Sequence, residues 1–126
     1  MTREQMKART KSYANRVVHV CRALPKDWLA QILGKQLLRS GTSVGANYRA
    51  VCRAKSKADF INKLRVVEEE SDESLFWMEL LVENNMVSAA RLDGLMKEGD
   101  EILAIVVSSA KTARASRNAS MENRKS

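Results

Sequence analysis

One proline and five glycines among 126 residues leave too few chain reversals for a β-rich fold. A single histidine, His19, and two cysteines, Cys21 and Cys52, without Cys-x-x-Cys spacing leave no ligand set for a metal site. The cysteines fall inside helical patterns and read as small buried hydrophobes; His19 reads as a partly exposed helix residue. No apolar run approaches the roughly 20 residues of a membrane span. The opening Met1-Thr2-Arg3-Glu4-Gln5 lacks the apolar core of a signal peptide. The expectation is therefore a cytoplasmic protein without membrane, metal or cofactor. What is present, 44% hydrophobic and 29% charged residues, is a globular composition with room for one core, and the scarcity of turns makes it all-α.

One stretch then stands out: Leu37-Leu38-Arg39-Ser40-Gly41-Thr42-Ser43-Val44-Gly45-Ala46-Asn47-Tyr48-Arg49. It is rich in small residues, yet Leu33, Leu37, Val44, Tyr48 and Val51 keep helical spacing across it. Two arrangements compete. Each Gly lowers helix propensity by up to about 1 kcal/mol, which suits a loop between two short helices. A continuous helix crossed at short range by its neighbours explains both the spacing and the missing bulk, and is the arrangement expected. Gly41-Thr42-Ser43-Val44-Gly45 has the Gly-x-x-x-Gly spacing of close helix pairs, and it is no phosphate loop, because no Gly-Lys-Ser or Gly-Lys-Thr follows.

The rest of the chain divides into helices at roughly 3–24, 27–54, 57–84 and 89–115, one bundle over 1–117 followed by a basic, disordered tail, 118–126. Thr2 and Gln5 suit a capping box, after which Met6, Thr10, Tyr13, Val17, Val20 and Leu24 form a seam that Pro25 stops. Asp27 falls in the first turn of the second helix, where a carboxylate complements the dipole. Trp28, Leu29, Ile32, Leu33, Leu37 and Leu38 occupy more than one stripe, one for the bundle and one for a neighbouring subunit. Ser56 caps the third helix, with Asp59 three residues on and a seam of Phe60, Leu64, Val67, Ser71, Leu75, Met78 and Val82. Ser88 caps the fourth, whose Leu92, Leu95, Met96, Ile102, Leu103, Ile105, Val106 and Val107 again exceed one stripe. The acidic run Glu68-Glu69-Glu70-Ser71-Asp72-Glu73 invites a di-metal reading, but the Glu-x-x-His partner of a di-iron bundle is missing.

Gln36 to Arg49, followed by Lys57-Ala58-Asp59-Phe60-Ile61-Asn62-Lys63-Leu64 and Glu70-Ser71-Asp72-Glu73-Ser74-Leu75-Phe76-Trp77-Met78-Glu79-Leu80-Leu81, resembles the four-helix-bundle proteins encoded in intervening sequences of bacterial 23S rRNA genes. The likeness runs from about Ala8 to about Ala113. More distantly, the chain is similar to the accessory protein of diversity-generating retroelements, which works beside a reverse transcriptase. The resemblance implies an up-down bundle assembled as a ring of five with a basic surface. At motif-matching positions it places Glu70 and Glu73 toward Arg39 and Asn47 in a polar network. Ala50 stands where the family usually has Glu, so any contact of that carboxylate is absent.

Charge is unevenly distributed. Residues 1–26 carry seven Lys or Arg and one acid, 27–57 six and one, 58–98 four and ten, and 99–126 five and three. The positive field thus lies on the first two helices and the tail, a footprint for a polyanion. Arg9, Arg16, Arg49, Arg53 and Lys57 are the candidate phosphate contacts. No helix-turn-helix, zinc finger or RNA-stacking sheet accompanies them, so contact with little sequence preference is expected. The functional expectation is a non-enzymatic homo-oligomer that binds RNA or DNA. The alternative is an adaptor that docks on a nucleic-acid enzyme such as a reverse transcriptase. An enzyme is disfavoured, since one His, two separated Cys and a structurally explained acidic run assemble no nucleophile, base and orienting group.

Overall fold

The computed structural model describes residues 1–125, in which four helices form a single all-α domain: α1 Arg3–Arg22, α2 Trp28–Val51, α3 Lys57–Glu83 and α4 Ala89–Lys125. Each begins at a residue that can satisfy its free N–H groups. Thr2 and Gln5 form the expected capping box, Gln5 N donating to Thr2 Oγ1 at 3.1 Å and Thr2 N to Gln5 Oε1 at 2.9 Å. Asp27 is the cap of α2, one position before the first turn expected for it, and accepts from Ala30 N at 2.9 Å. Ser56 accepts from Asp59 N, and Ser88 from Arg91 N. α1 ends two residues before the expected Leu24, because Pro25 drives the residue ahead of it away from helical geometry. α3 ends at Glu83, and Asn85, at a φ of 59°, turns the chain toward α4.

The small-residue stretch is one uninterrupted helix. A Cβ added at Gly41 would sit 2.7 Å from Val17 Cγ2, and one at Gly45 would sit 3.1 Å from the Thr10 carbonyl oxygen. At Gly34 it would meet Leu24. Glycine is therefore what lets α1 lie directly on α2. The broad interfaces are α1 with α2, α2 with α3, and α3 with α4, while α1 and α4 share a thinner seam. Met6, Tyr13, Val17, Leu37, Val44, Leu64, Val67, Met78, Leu92, Ile102 and Val106 fill the core. Inside it, Tyr13 and Ser74 share a hydrogen bond of 2.8 Å, and Ser74 Oγ donates to Ser71 O. Burial pushes the Tyr13 phenol up to about 12.

Several expectations shift. Val20, Phe60 and Val82 are only partly buried, while Ile61, Ser74 and Leu81 join the core. The second stripe of α2 is uncovered within the chain, with Trp28 at 74% exposure and Ile32 at 50%. On α4 the surplus is mostly covered: Met96, Leu103 and Ile105 pack against the core. Between residues 118 and 125 the expected disordered tail is helical. α4 is carried past the bundle by residues that break no helix, with neither Gly nor Pro after Gly99. Ser126, the last residue of that tail, lies outside the described residues. No helix among the described residues is long and apolar enough to cross a membrane.

Candidate nucleic-acid interface

Arg49 lies in the last turn of α2, and Arg53 follows in the turn after it; both are exposed, and their side chains make no ion pair or hydrogen bond among the described residues. Lys57 opens α3, and its ammonium donates to Ser116 Oγ of α4 at 2.6 Å. Arg16 is exposed on α1, with a guanidinium nitrogen 3.4 Å from where a Cβ at Gly94 would stand. These four expected contacts present their charge to solvent.

Arg9 does not. Its Nε and Nη2 donate to the two carboxylate oxygens of Glu98 at 2.7 and 2.6 Å, and Nη2 also reaches Glu101. The side chain is only 20% exposed. A fork of donors matching a carboxylate is a strong arrangement, and two acids on α4 raise the Arg9 pKa further. The same contact holds Glu98 below the usual carboxylate range. Arg9 therefore ties α1 to α4 and is withdrawn from the phosphate-contacting set. Spacing on α1 could not reveal this, because Glu98 is 89 residues away.

The polar network between α2 and α3 forms in part. Arg39 pairs with Glu73 and, at 3.4 Å, with Glu70. Gln36 Oε1 accepts from Arg39, and Trp77 Nε1 donates to Glu73 at 3.2 Å. Asn47 stands outside the network; its amide donates to Ser43 O one turn back in its own helix. Arg39 is 49% exposed, so the network lies at the surface of the α2–α3 seam. Glu70 and Glu73 thus have a cation between them, and no group of three or more potential metal ligands occurs among the described residues.

Two concavities add residues that sequence patterns missed. Between the end of α1 and the start of α2 a groove of about 290 Å³ is lined by Val18, Cys21, Leu24, Ala30, Gly34 and Leu38, with Arg22, Gln31 and Lys35 beside them. Cys21 Sγ lies 3.4 Å from Gly34 O, and burial pushes its thiol up to about 11, so it is protonated at neutral pH. At the opposite pole, where α2 turns into α3, Arg3, Lys55, Lys57, Phe60 and Ala113 line a second cleft of about 320 Å³. The Arg3 guanidinium lies 5.0 Å from the centroid of the Phe60 ring. Arg53 and Lys57 were expected contacts from the sequence, and Lys55 between them was not singled out. Nor was Arg3, because only tertiary packing brings the start of α1 to this loop.

The family model for the 23S rRNA-intervening sequence protein matches residues 4–108. The chain belongs to that family. A crystal structure of a protein of unknown function from the S23 ribosomal protein family of Bacteroides thetaiotaomicron is similar to it, with a TM-score of 0.82 and 33% identity. That likeness covers 88% of this chain and 99% of the other. No curated protein matches. Within the 23S rRNA-intervening sequence protein match lie all of α2 and α3, the Arg9 and Arg39 ion pairs, and α4 as far as Ser108. The stretch from Ser109 to Lys125, which carries Lys111, Arg114, Arg117 and Arg124, lies beyond it.

Proposed function

We propose that this protein is a non-enzymatic, cytoplasmic, ring-forming homo-oligomer that binds RNA or DNA through phosphates with little sequence preference. The observation that carries the reading is the row of cations at the α2–α3 turn, where Arg49 and Arg53 have no carboxylate partner and Lys57 continues the positive surface onto α3. Arg16 adds a separate exposed cation on α1, beside Gly94 near the start of α4. Cations left unneutralised by their own fold are available to release counterions from a nucleic acid. The antiparallel approach of the first two helices supports an up-down course: Thr10 and Val17 on α1, and Leu24 just beyond its end, meet Gly45, Gly41 and Gly34 on α2.

Oligomerisation is supported by the apolar surface that the chain leaves open. Trp28, Leu29, Ile32, Leu38, Val66 and Phe76 are exposed on α2 and α3. Large exposed apolar patches mark interfaces. The ring of five is the expectation from family resemblance, since apolar surplus sets no symmetry. Around a ring, repetition of the basic row would raise avidity without new contacts.

Binding measured against salt tests the reading. The logarithm of affinity for duplex DNA should fall with the logarithm of salt at a slope near −0.9 per contacted phosphate. The double variant Arg49→Ala/Arg53→Ala should weaken binding equally for unrelated sequences and make the slope shallower. Absence of binding to RNA and DNA at low salt, or an unchanged slope in the double variant, would assign the row to a protein partner, as in the adaptor alternative.

A further inference from the structure

The cleft at the α2–α3 pole has a chemistry that the open row of cations lacks. Arg3 and the pair Lys55 and Lys57 come from segments more than fifty positions apart in sequence and face one concavity. On its wall the planar Arg3 guanidinium is already placed over the Phe60 ring. One lysine is held in place by its bond to Ser116 Oγ. α4 then completes the rim. Its inward stripe is apolar and buried at Leu92, Leu95, Ile102, Val106 and Ala113, and one turn beyond Ala113 the same stripe becomes Arg117 and then Arg124. The change falls where α4 passes Lys57, the first residue of α3, and leaves the bundle. Arg117 Nε is buried yet has no hydrogen-bond partner.

A cleft of about 320 Å³ has room for one base or one sugar-phosphate unit. Cations tracking a backbone beside a planar stacking face are the general means of holding unpaired nucleotides. We infer that this cleft seats an unpaired nucleotide, its phosphates on Lys55 and Lys57 and its base against Arg3 and Phe60, so that the protein prefers single-stranded RNA or DNA to duplex. The inference rests on the nucleic-acid reading above and adds the strand state that reading leaves open.

The test compares, by fluorescence anisotropy, one labelled oligonucleotide as a single strand and annealed to its complement. The full-length protein is measured beside Arg3→Ala, Lys55→Ala/Lys57→Ala and, as comparator, Arg49→Ala/Arg53→Ala. Arg3, Lys55 and Lys57 are exposed, so their replacement leaves the core intact, and circular dichroism verifies this. Wild type is expected to bind the single strand about tenfold tighter than the duplex; Arg3→Ala should lose most of that preference while its duplex binding changes little, and Lys55→Ala/Lys57→Ala, which also removes a cation of the open row, should lose more affinity for the single strand than for the duplex. The comparator should weaken both forms and keep the preference. Equal affinity for the two forms, or cleft variants that lower both alike, would overturn the single-strand inference and leave general phosphate binding standing. If wild type binds neither form, the nucleic-acid reading itself fails.

Discussion

A half-exposed ion pair and a glycine under a side chain make opposite demands on the same helix. Were the network of Arg39 with Glu70 and Glu73 buried, stranding a carboxylate would cost about 3–5 kcal/mol. At 49% exposure the guanidinium keeps much of its hydration. Arg39→Ala should therefore cost only about 0.2–1 kcal/mol in a urea titration. Glu98 gives a different signal, through pH. Arg9 lowers its folded-state pKa below the ordinary value of 4.5, so the contribution is fully present above that value and is lost as pH falls through the folded-state pKa. Glu98→Gln should flatten the decline of Tm below pH 4.5. It will not abolish the decline, because Lys63 and the Lys55 N–H also hold Asp59 low. Thermal melts of the two proteins across that range check the sign.

Among elements, α1 and α2 show how missing side chains act as packing information. Val17 is fully buried and β-branched, with little freedom to turn away from a new methyl group at Gly41. Gly41→Ala gains about 1 kcal/mol of helix propensity but incurs overpacking of about 1–3 kcal/mol, so a net loss is expected. Gly94 is the contrast. Its added Cβ would meet only the mobile end of Arg16, at 3.4 Å. Gly94→Ala should stabilise the protein by about 0.5–1 kcal/mol, and denaturant midpoints of the two variants should move in opposite directions. The continuous helix through the Gly-Ser stretch was legible because apolar spacing persisted across it. The core membership of Ser74 was not, because its hydroxyl is matched there by Tyr13 from another helix, a pairing that no local pattern shows.

For the whole molecule, the uncovered stripe of α2 carries the assembly prediction. Light scattering should report a mass several times the 14.1 kDa of one chain. Ile32→Glu places a charge in the exposed stripe and should shift the mass toward the single chain while helicity is retained. A wild-type mass of one chain at micromolar concentration would defeat the proposal.

Local chemistry determined the four helices, their caps, the all-α class and the uneven charge, because helical periodicity, capping side chains and charge totals are properties of near neighbours in sequence. Tertiary structure decided which charges remain available. Arg9 and Glu98 are 89 positions apart, and only the approach of α1 to α4 converts a candidate phosphate contact into an internal ion pair. The same packing brings Arg3 to Lys55 and Phe60 and turns the inward stripe of α4 from core to cation at the bundle's edge. Pairing in space depends on distance across the fold, and that distance is set by the close helix crossings that Gly41 and Gly45 permit.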